Sequence, residues 1–322
     1  MLDGCELELP DGVRLHVQTC GPADASVTVV LLHGWCLDRR TWHHQIEALC
    51  ERGDVRVVAY DARGHGRSGA TRLRSATLNQ LGADLAEVLR AYAAEGPVVL
   101  AGHSMGGMTI MEYAYAYPDE FAGRVAGLLF ASTTAEGTTH TWYGLPFPVS
   151  RLFRAAEQAG ASLLARCGAW RPHRAMLPAL QPAIRWLLFG DSGFQPGDLQ
   201  VTLSAVSRAS LRSIGGFRTS IGEQQRLETL AELGDVPAAV LVGDRDRLTP
   251  PPCAESIAEA LPPGTELTVL PGAGHMLILE RPAEVSAALA TLVTQVAEGR
   301  RDGVFDRAAG PDGEQTGYEQ AA

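Results

Sequence analysis

Gly102-His103-Ser104-Met105-Gly106-Gly107 follows the apolar run Pro97-Val98-Val99-Leu100-Ala101 and precedes a segment of helical periodicity from Met108 to Tyr117. A buried strand that turns sharply into a helix holds the side chain at its apex in a strained conformation. Gly102 and Gly106, two positions to either side of Ser104, remove the side chains that would collide there. The helix that follows aims its unpaired amides, beginning with that of Met105, and its positive dipole end at the same spot. Negative charge would develop there if Ser104 attacked a carbonyl, so the hexapeptide describes a nucleophile together with half of an oxyanion site.

A serine hydroxyl is a weak nucleophile unless a base takes its proton, and the base needs a carboxylate to fix its tautomer. Two loops that follow apolar runs offer such groups. Gly243-Asp244-Arg245-Asp246-Arg247-Leu248-Thr249-Pro250 follows Ala238 to Val242, and Pro271-Gly272-Ala273-Gly274-His275-Met276 follows Leu270. His275 is therefore the candidate base, and Asp244 and Asp246 are the candidate acids. In a parallel sheet the carboxyl ends of the strands share one edge, so these distant loops can converge on Ser104.

The elements needed for that convergence are legible. Strand-like runs occur at Cys5 to Leu9, Arg14 to Cys20, Val27 to Leu32, Val55 to Tyr60, Val98 to Ala101, Val125 to Ala131, Ala238 to Val242 and Glu266 to Leu270. The first two flank Pro10-Asp11-Gly12 and predict a hairpin. The later ones are separated by amphipathic segments near 41–51, 77–94, 105–117, 252–261 and 283–297, and this alternation predicts an α/β fold with a mostly parallel eight-stranded sheet covered by helices on both faces. The rhythm breaks between Ala135 and Asp235, a stretch without a convincing strand that is rich in Trp, Phe, Leu, Ala and Arg and punctuated by Pro146, Pro148, Pro172, Pro178, Pro182 and Pro196. A structureless loop of that length is improbable, so 135–235 reads as a helical cap inserted into a core formed by 1–134 and 236–298. Residues 299–322 read as a polar, disordered tail.

Taken together, these residues resemble the α/β-hydrolase fold superfamily, in particular its capped serine esterases and lipases, over nearly everything from Cys5 to about Val296. Ser104, an acid and His275 follow the chain order of that superfamily, not the orders of the chymotrypsin or subtilisin folds. In the family pattern a glycine closes the strand, the acid follows three positions later and a proline begins the next helix. Gly243, Asp246 and Pro250 fit it, so the resemblance favours Asp246 over Asp244. It also assigns the second oxyanion amide to Trp35, within His33-Gly34-Trp35-Cys36, beside that of Met105. His33 reads as a structural histidine of that turn, and Asp61-Ala62-Arg63-Gly64-His65-Gly66-Arg67-Ser68 is similar to a structural turn of the same family.

The resemblance implies hydrolysis of a carboxylic ester through an acyl-enzyme, without cofactor or metal. Lactonase, thioesterase, carbon–carbon bond hydrolase and perhydrolase or haloperoxidase-like chemistry are compatible with the same residues. So is a protein of different class that binds a ligand without turnover. Epoxide hydrolases and haloalkane dehalogenases resemble the chain elsewhere but use an aspartate where Ser104 stands. The cap aromatics Trp142, Tyr143, Phe147, Phe153, Trp170, Trp186 and Phe189 suit either an apolar substrate or packing on the core.

Composition narrows the field. The 322-residue chain has 46% hydrophobic and 20% charged residues, as a globular protein does, and a formal net charge of −10 that disfavours nucleic acid and anionic membranes as partners. A small-molecule ester is the expected partner. All 27 basic residues are arginine, which removes lysine Schiff bases, serine–lysine dyads and P-loop phosphate sites. No run approaches the ~18 apolar residues of a spanning helix and the start lacks a signal-peptide pattern, so a cytoplasmic location is expected. The six cysteines contain no Cys-x-x-Cys pair and read mostly as buried thiols; Cys36, two positions past the His33-Gly34 turn, is the exception to watch, with Ser104 the stronger nucleophile nearby.

Overall fold

The computed structural model describes residues 3–171, 177–191 and 193–301. β1 (Asp3–Glu8) and β2 (Arg14–Cys20) form the expected hairpin, paired antiparallel, and β2 continues antiparallel against β4 (Arg56–Tyr60). The remaining strands are parallel: β3 (Thr28–Leu32), β5 (Val98–His103), β6 (Val125–Ala131), β7 (Ala238–Gly243) and β8 (Glu266–Leu270). The eight-stranded sheet runs β1-β2-β4-β3-β5-β6-β7-β8, so the chain winds from β3 and β5 at the centre outward in both directions. The fold is an eight-stranded, mostly parallel α/β sheet.

Alternation along β3 shows why both faces must be covered. Val29 and Leu31 pack with Ile46 of α1 (His43–Arg52) and with Val285 and Leu289 of α12 (Pro282–Arg301). Val30 and Leu32 pack on the other face with Leu85 of α2 (Leu78–Tyr92) and Ile110 of α3 (Met105–Ala116). A period of two on a strand sends neighbouring side chains to opposite faces, and each face buries its own apolar layer. α3 is buried from Met105 to Ala114, which explains why it is apolar on every side instead of amphipathic.

Several boundaries differ from those expected. β5 runs two residues further, because Gly102 and His103 pair in register with Phe130 and Ala131 of β6. α4 (Pro118–Arg124) was not anticipated, although Pro118 with Asp119 and Glu120 in its first turn is a recognisable helix start. Between β6 and β7 the described residues hold no strand but five helices: α5 (Phe147–Arg166), α6 (Leu177–Leu188), α7 (Pro196–Val206), α8 (Leu211–Glu223) and α9 (Leu227–Ala231); α10 (Pro251–Ala260) follows β7 and the short α11 (Leu277–Glu280) follows β8. Of the prolines there, Pro148 and Pro196 lie at helix starts, Pro182 lies inside α6, and Pro172 falls outside the described residues. Residues 299–301 continue α12 instead of beginning a tail, and 302–322 lie outside the described residues.

The cysteine reading needs correction. Cys20, at the end of β2, and Cys50, in the last turn of α1, form a disulfide with Cα atoms 6.1 Å apart, and of the free thiols only Cys253 is buried, Cys5 and Cys36 being partly exposed and Cys167 exposed. Their separation of 30 residues offers no local pattern, and the pairing arises because β2 and α1 both pack beside β4. No helix among the described residues is long and apolar enough to cross a membrane.

Candidate active site

Ser104 caps the junction of β5 and α3 with φ 52° and ψ −118°, a conformation that costs a non-glycine residue free energy and that the surrounding packing must enforce. That packing is visible. A side chain at Gly102 would strike the backbone of Gly106 and Gly107, and one at Gly106 would strike the carbonyl of Leu32 in β3. Ser104 is anchored through its own backbone: its N–H donates to Ala131 O at 3.0 Å and its carbonyl accepts from Thr133 Oγ1 at 2.7 Å.

The three residues expected to converge do so. His275 Nε2 lies 3.0 Å from Ser104 Oγ, and His275 Nδ1 lies 2.9 Å from Asp246 Oδ2 and 3.1 Å from Oδ1. A carboxylate can only accept, so Nδ1 carries the proton and Nε2 presents a lone pair to the serine hydroxyl. Asp246 is buried and also accepts from the amides of Leu248 and Thr249 and from Thr249 Oγ1, each at 2.9 Å. Burial alone would raise its pKa, but the neighbouring His275 and these donors outweigh it and hold the carboxyl below its ordinary value. Asp244 instead faces solvent, accepting from the amide of Gly272 at 2.7 Å.

Met105 opens α3, and Trp35 lies in the turn after β3. Neither backbone amide donates to a protein acceptor among the described residues, which leaves both available to a developing oxyanion. The Trp35 ring lines the site and its Nε1 reaches Ser213 O at 3.4 Å. His33 is held as a structural group: its Nδ1–H donates to Gly34 O at 2.8 Å and its Nε2 accepts from the Ala62 amide at 2.9 Å. The Asp61–Ser68 turn is tied internally, with Asp61 accepting from the Arg67 and Arg39 amides and from Arg39 Nη1. Cys36 borders the site, but desolvation pushes its thiol far up, so it stays protonated.

Residues without an expected role in the chemistry, Glu157 and Arg218 not singled out at all, complete the arrangement. Thr249 Oγ1 lies between the acid and the base, 3.2 Å from His275 Nδ1. His103 Nε2–H donates to the His275 carbonyl at 2.8 Å and ties the base loop to the elbow. Beyond Ser104, Glu157 of α5 pairs with Arg218 of α8, Nε to Oε1 at 2.6 Å, and accepts from the Tyr143 hydroxyl. Tyr143 has φ 55°, and burial, then Glu157, pushes its phenol up to about 12, so it remains a donor. Arg247 joins the acid loop to α6 by donating to Trp186 O at 2.6 Å.

Two cavities share Ser104, Trp35, Tyr143, Glu157 and Leu248 in their walls. One, of about 70 Å³, includes Met105, Thr134, Thr138 and Arg218. The other, of about 290 Å³, includes His275, Met276, Phe153, Ile184, Leu187 and Val206. Of the aromatics between β6 and β7, Tyr143 is buried and lines both cavities, Phe153 lines the larger one while remaining partly open to solvent, Phe189 is buried in the core, and Trp142, Phe147, Trp170 and Trp186 are exposed. Among the described residues one grouping has metal-ligand chemistry, His43, His44 and Asp198, but it lines neither cavity and Asp198 caps α7.

Comparisons with known proteins agree with this architecture. Residues 29–288 match the alpha/beta hydrolase family. A putative carbamate hydrolase of Variovorax paradoxus is 30% identical over 81% of this chain and 89% of its own length. Epoxide hydrolase B of Mycobacterium tuberculosis is 40% identical over 116 residues, 35% of this chain and 32% of that enzyme, so the match spans about a third of the relative. Among solved structures, a thermophilic esterase from Thermogutta terrifontis superposes with TM-score 0.72 at 24% identity, covering 92% of this chain and 99% of that one, a likeness of fold. With the sheet order, the elbow and these matches in agreement, the chain belongs to the alpha/beta hydrolase family.

Proposed function

We propose that this hydrolase cleaves a carboxylic ester through an acyl-enzyme on Ser104. The observation that carries the reading is the unbroken chain Ser104 Oγ, His275 Nε2, His275 Nδ1 and Asp246, with contacts of 3.0 and 2.9 Å. His275 takes the Ser104 proton as Oγ attacks the carbonyl, and Asp246 stabilises the imidazolium that forms. The amides of Met105 and Trp35 hold the oxyanion. Collapse expels the alkoxide, which takes the proton from His275, and water repeats the sequence in reverse to release the acid. The scheme uses only side chains, two amides and water. The segment between β6 and β7 acts in it as a cap, with Tyr143 ahead of α5, Phe153 on α5 and Val206 on α7 around the substrate.

The epoxide hydrolases among the relatives do not redirect this reading. Ring opening through an alkyl ester starts from a carboxylate, and the elbow here presents a hydroxyl.

The test pairs a fluorophosphonate probe with short nitrophenyl esters. Wild type is expected to label stoichiometrically and turn over, while Ser104→Ala does neither and His275→Ala loses at least ~10³-fold in kcat, both keeping the wild-type circular dichroism. A folded wild-type protein that resists the probe would sink the proposal.

A further inference from the structure

The two cavities differ in which catalytic group they contain, and this fixes which part of an ester each one takes. Building on the hydrolase reading, we infer that the substrates are esters of a short acyl group with a large apolar alcohol.

During acylation the imidazolium must give its proton to the leaving oxygen, so the leaving alcohol lies on the His275 side of Ser104. His275 lines the larger cavity and not the smaller one. Of the two residues whose amides would hold the carbonyl oxygen, Met105 lines only the smaller cavity and Trp35 lies where the two meet. The carbonyl carbon bonded to Ser104 therefore sends its acyl substituent into the smaller chamber and its alkoxy substituent into the larger.

Volume and chemistry then set the size of each part. An apolar cavity of roughly 150 Å³ accommodates benzene. The chamber of about 290 Å³ thus suits a long alkyl or fused-ring alcohol, and its walls of Phe153, Ile184, Leu187 and Val206 match that. The chamber of about 70 Å³ has room for an acyl group such as acetyl or propionyl. Its lining includes the threonines 134, 138 and 141 and the buried Arg218, which is ion-paired with Glu157 and leaves Nη1 without a hydrogen-bond partner among the described residues. Pushing a longer alkyl chain against Arg218 and its unsatisfied Nη1 costs free energy; the larger chamber shares the Glu157 carboxylate but not Arg218, and its remaining walls are mostly apolar.

The test compares two constitutional isomers, octyl acetate and methyl nonanoate, which carry the same atoms and an alkyl ester of similar intrinsic reactivity. The expected kcat/KM ratio favours octyl acetate by at least ~10-fold, since several methylenes must be misplaced in the other isomer. Filling the large chamber with Val206→Trp should lower that ratio, and widening the small one with Met108→Ala should lower it from the other side by admitting methyl nonanoate. Should either variant fail to fold, the wild-type ratio still decides. A ratio near one or reversed, or a protein that labels with fluorophosphonate yet hydrolyses neither isomer, overturns the partition while leaving Ser104 as a nucleophile. Absence of labelling together with absence of turnover overturns the hydrolase reading and the partition with it.

Discussion

Asp244 and Asp246 lie two positions apart on one loop, yet their surroundings assign them opposite tasks. Asp246 points inward, buried, and accepts from four donors: the Leu248 and Thr249 amides, Thr249 Oγ1 and His275 Nδ1. Asp244 closes the neighbouring turn through Gly272 at the surface. Replacing Asp246 by Asn puts an amide donor against Nδ1 and turns the imidazole to the tautomer whose Nε2 already holds a proton. Such a base cannot accept from Ser104, and kcat on short nitrophenyl esters is expected to fall by about 10⁴. Asp244→Asn keeps an acceptor oxygen for the Gly272 amide, so its kcat should stay within about threefold of wild type. A comparable loss in both variants would show that the acid has been misassigned.

At the scale of elements, the elbow depends on how closely α3 approaches β3. In Gly106→Ala the new methyl meets the Leu32 carbonyl, which belongs to a central strand hydrogen-bonded on both sides and cannot retreat. α3 must move instead, carrying the Met105 amide with it. Urea unfolding should report a loss of roughly 1–3 kcal/mol, with kcat reduced more than KM is raised; an unchanged unfolding midpoint would contradict the packing described. This geometry was legible because its causes are local: glycines at fixed offsets from a serine, apolar runs of strand length, and loops punctuated by Gly and Pro. The same locality explains what escaped. Glu157 and Arg218 are 61 residues apart, His103 and the His275 carbonyl 172, and the disulfide closes a separation of 30. No periodicity marks such pairs, because only the folded sheet and the helices between β6 and β7 bring them together. α4 is a different case, since Pro118-Asp119-Glu120 carried a start signal that the apolar run of α3 before it obscured.

Across the whole molecule, three histidines are buried as neutral groups and join loops that meet at the site. His33 bridges Gly34 and Ala62, His65 donates to Arg63 O and accepts from the Cys36 amide, and His103 holds the base loop. Desolvation lowers all three pKa values, those of His65 and His103 to about 3, followed for His65 by the nearby His33 and for His103 by His275. The unfolded chain binds protons at these positions near pH 6.5 while the folded chain refuses them. The unfolded state thus holds more protons below that pH, and stability must rise with pH through the interval and be fully present above it. The carboxylates act elsewhere: Asp61 and Asp246 have depressed values, and their contribution fades only as the medium becomes more acidic than their ordinary value of 3.8. Acid sensitivity governed by carboxylates alone would leave stability level between neutrality and about pH 5. With the histidines included, unfolding by urea at about pH 5 should show a loss of roughly 1–2 kcal/mol for each of His65 and His103 relative to about pH 7.5. His65→Gln retains a polar side chain without the titration, so its own curve should be flatter over the same interval even if its stability at neutral pH is lower. Parallel curves for wild type and variant, or a wild-type curve level down to about pH 5, would mean that these rings accept protons without unfolding the loops they join.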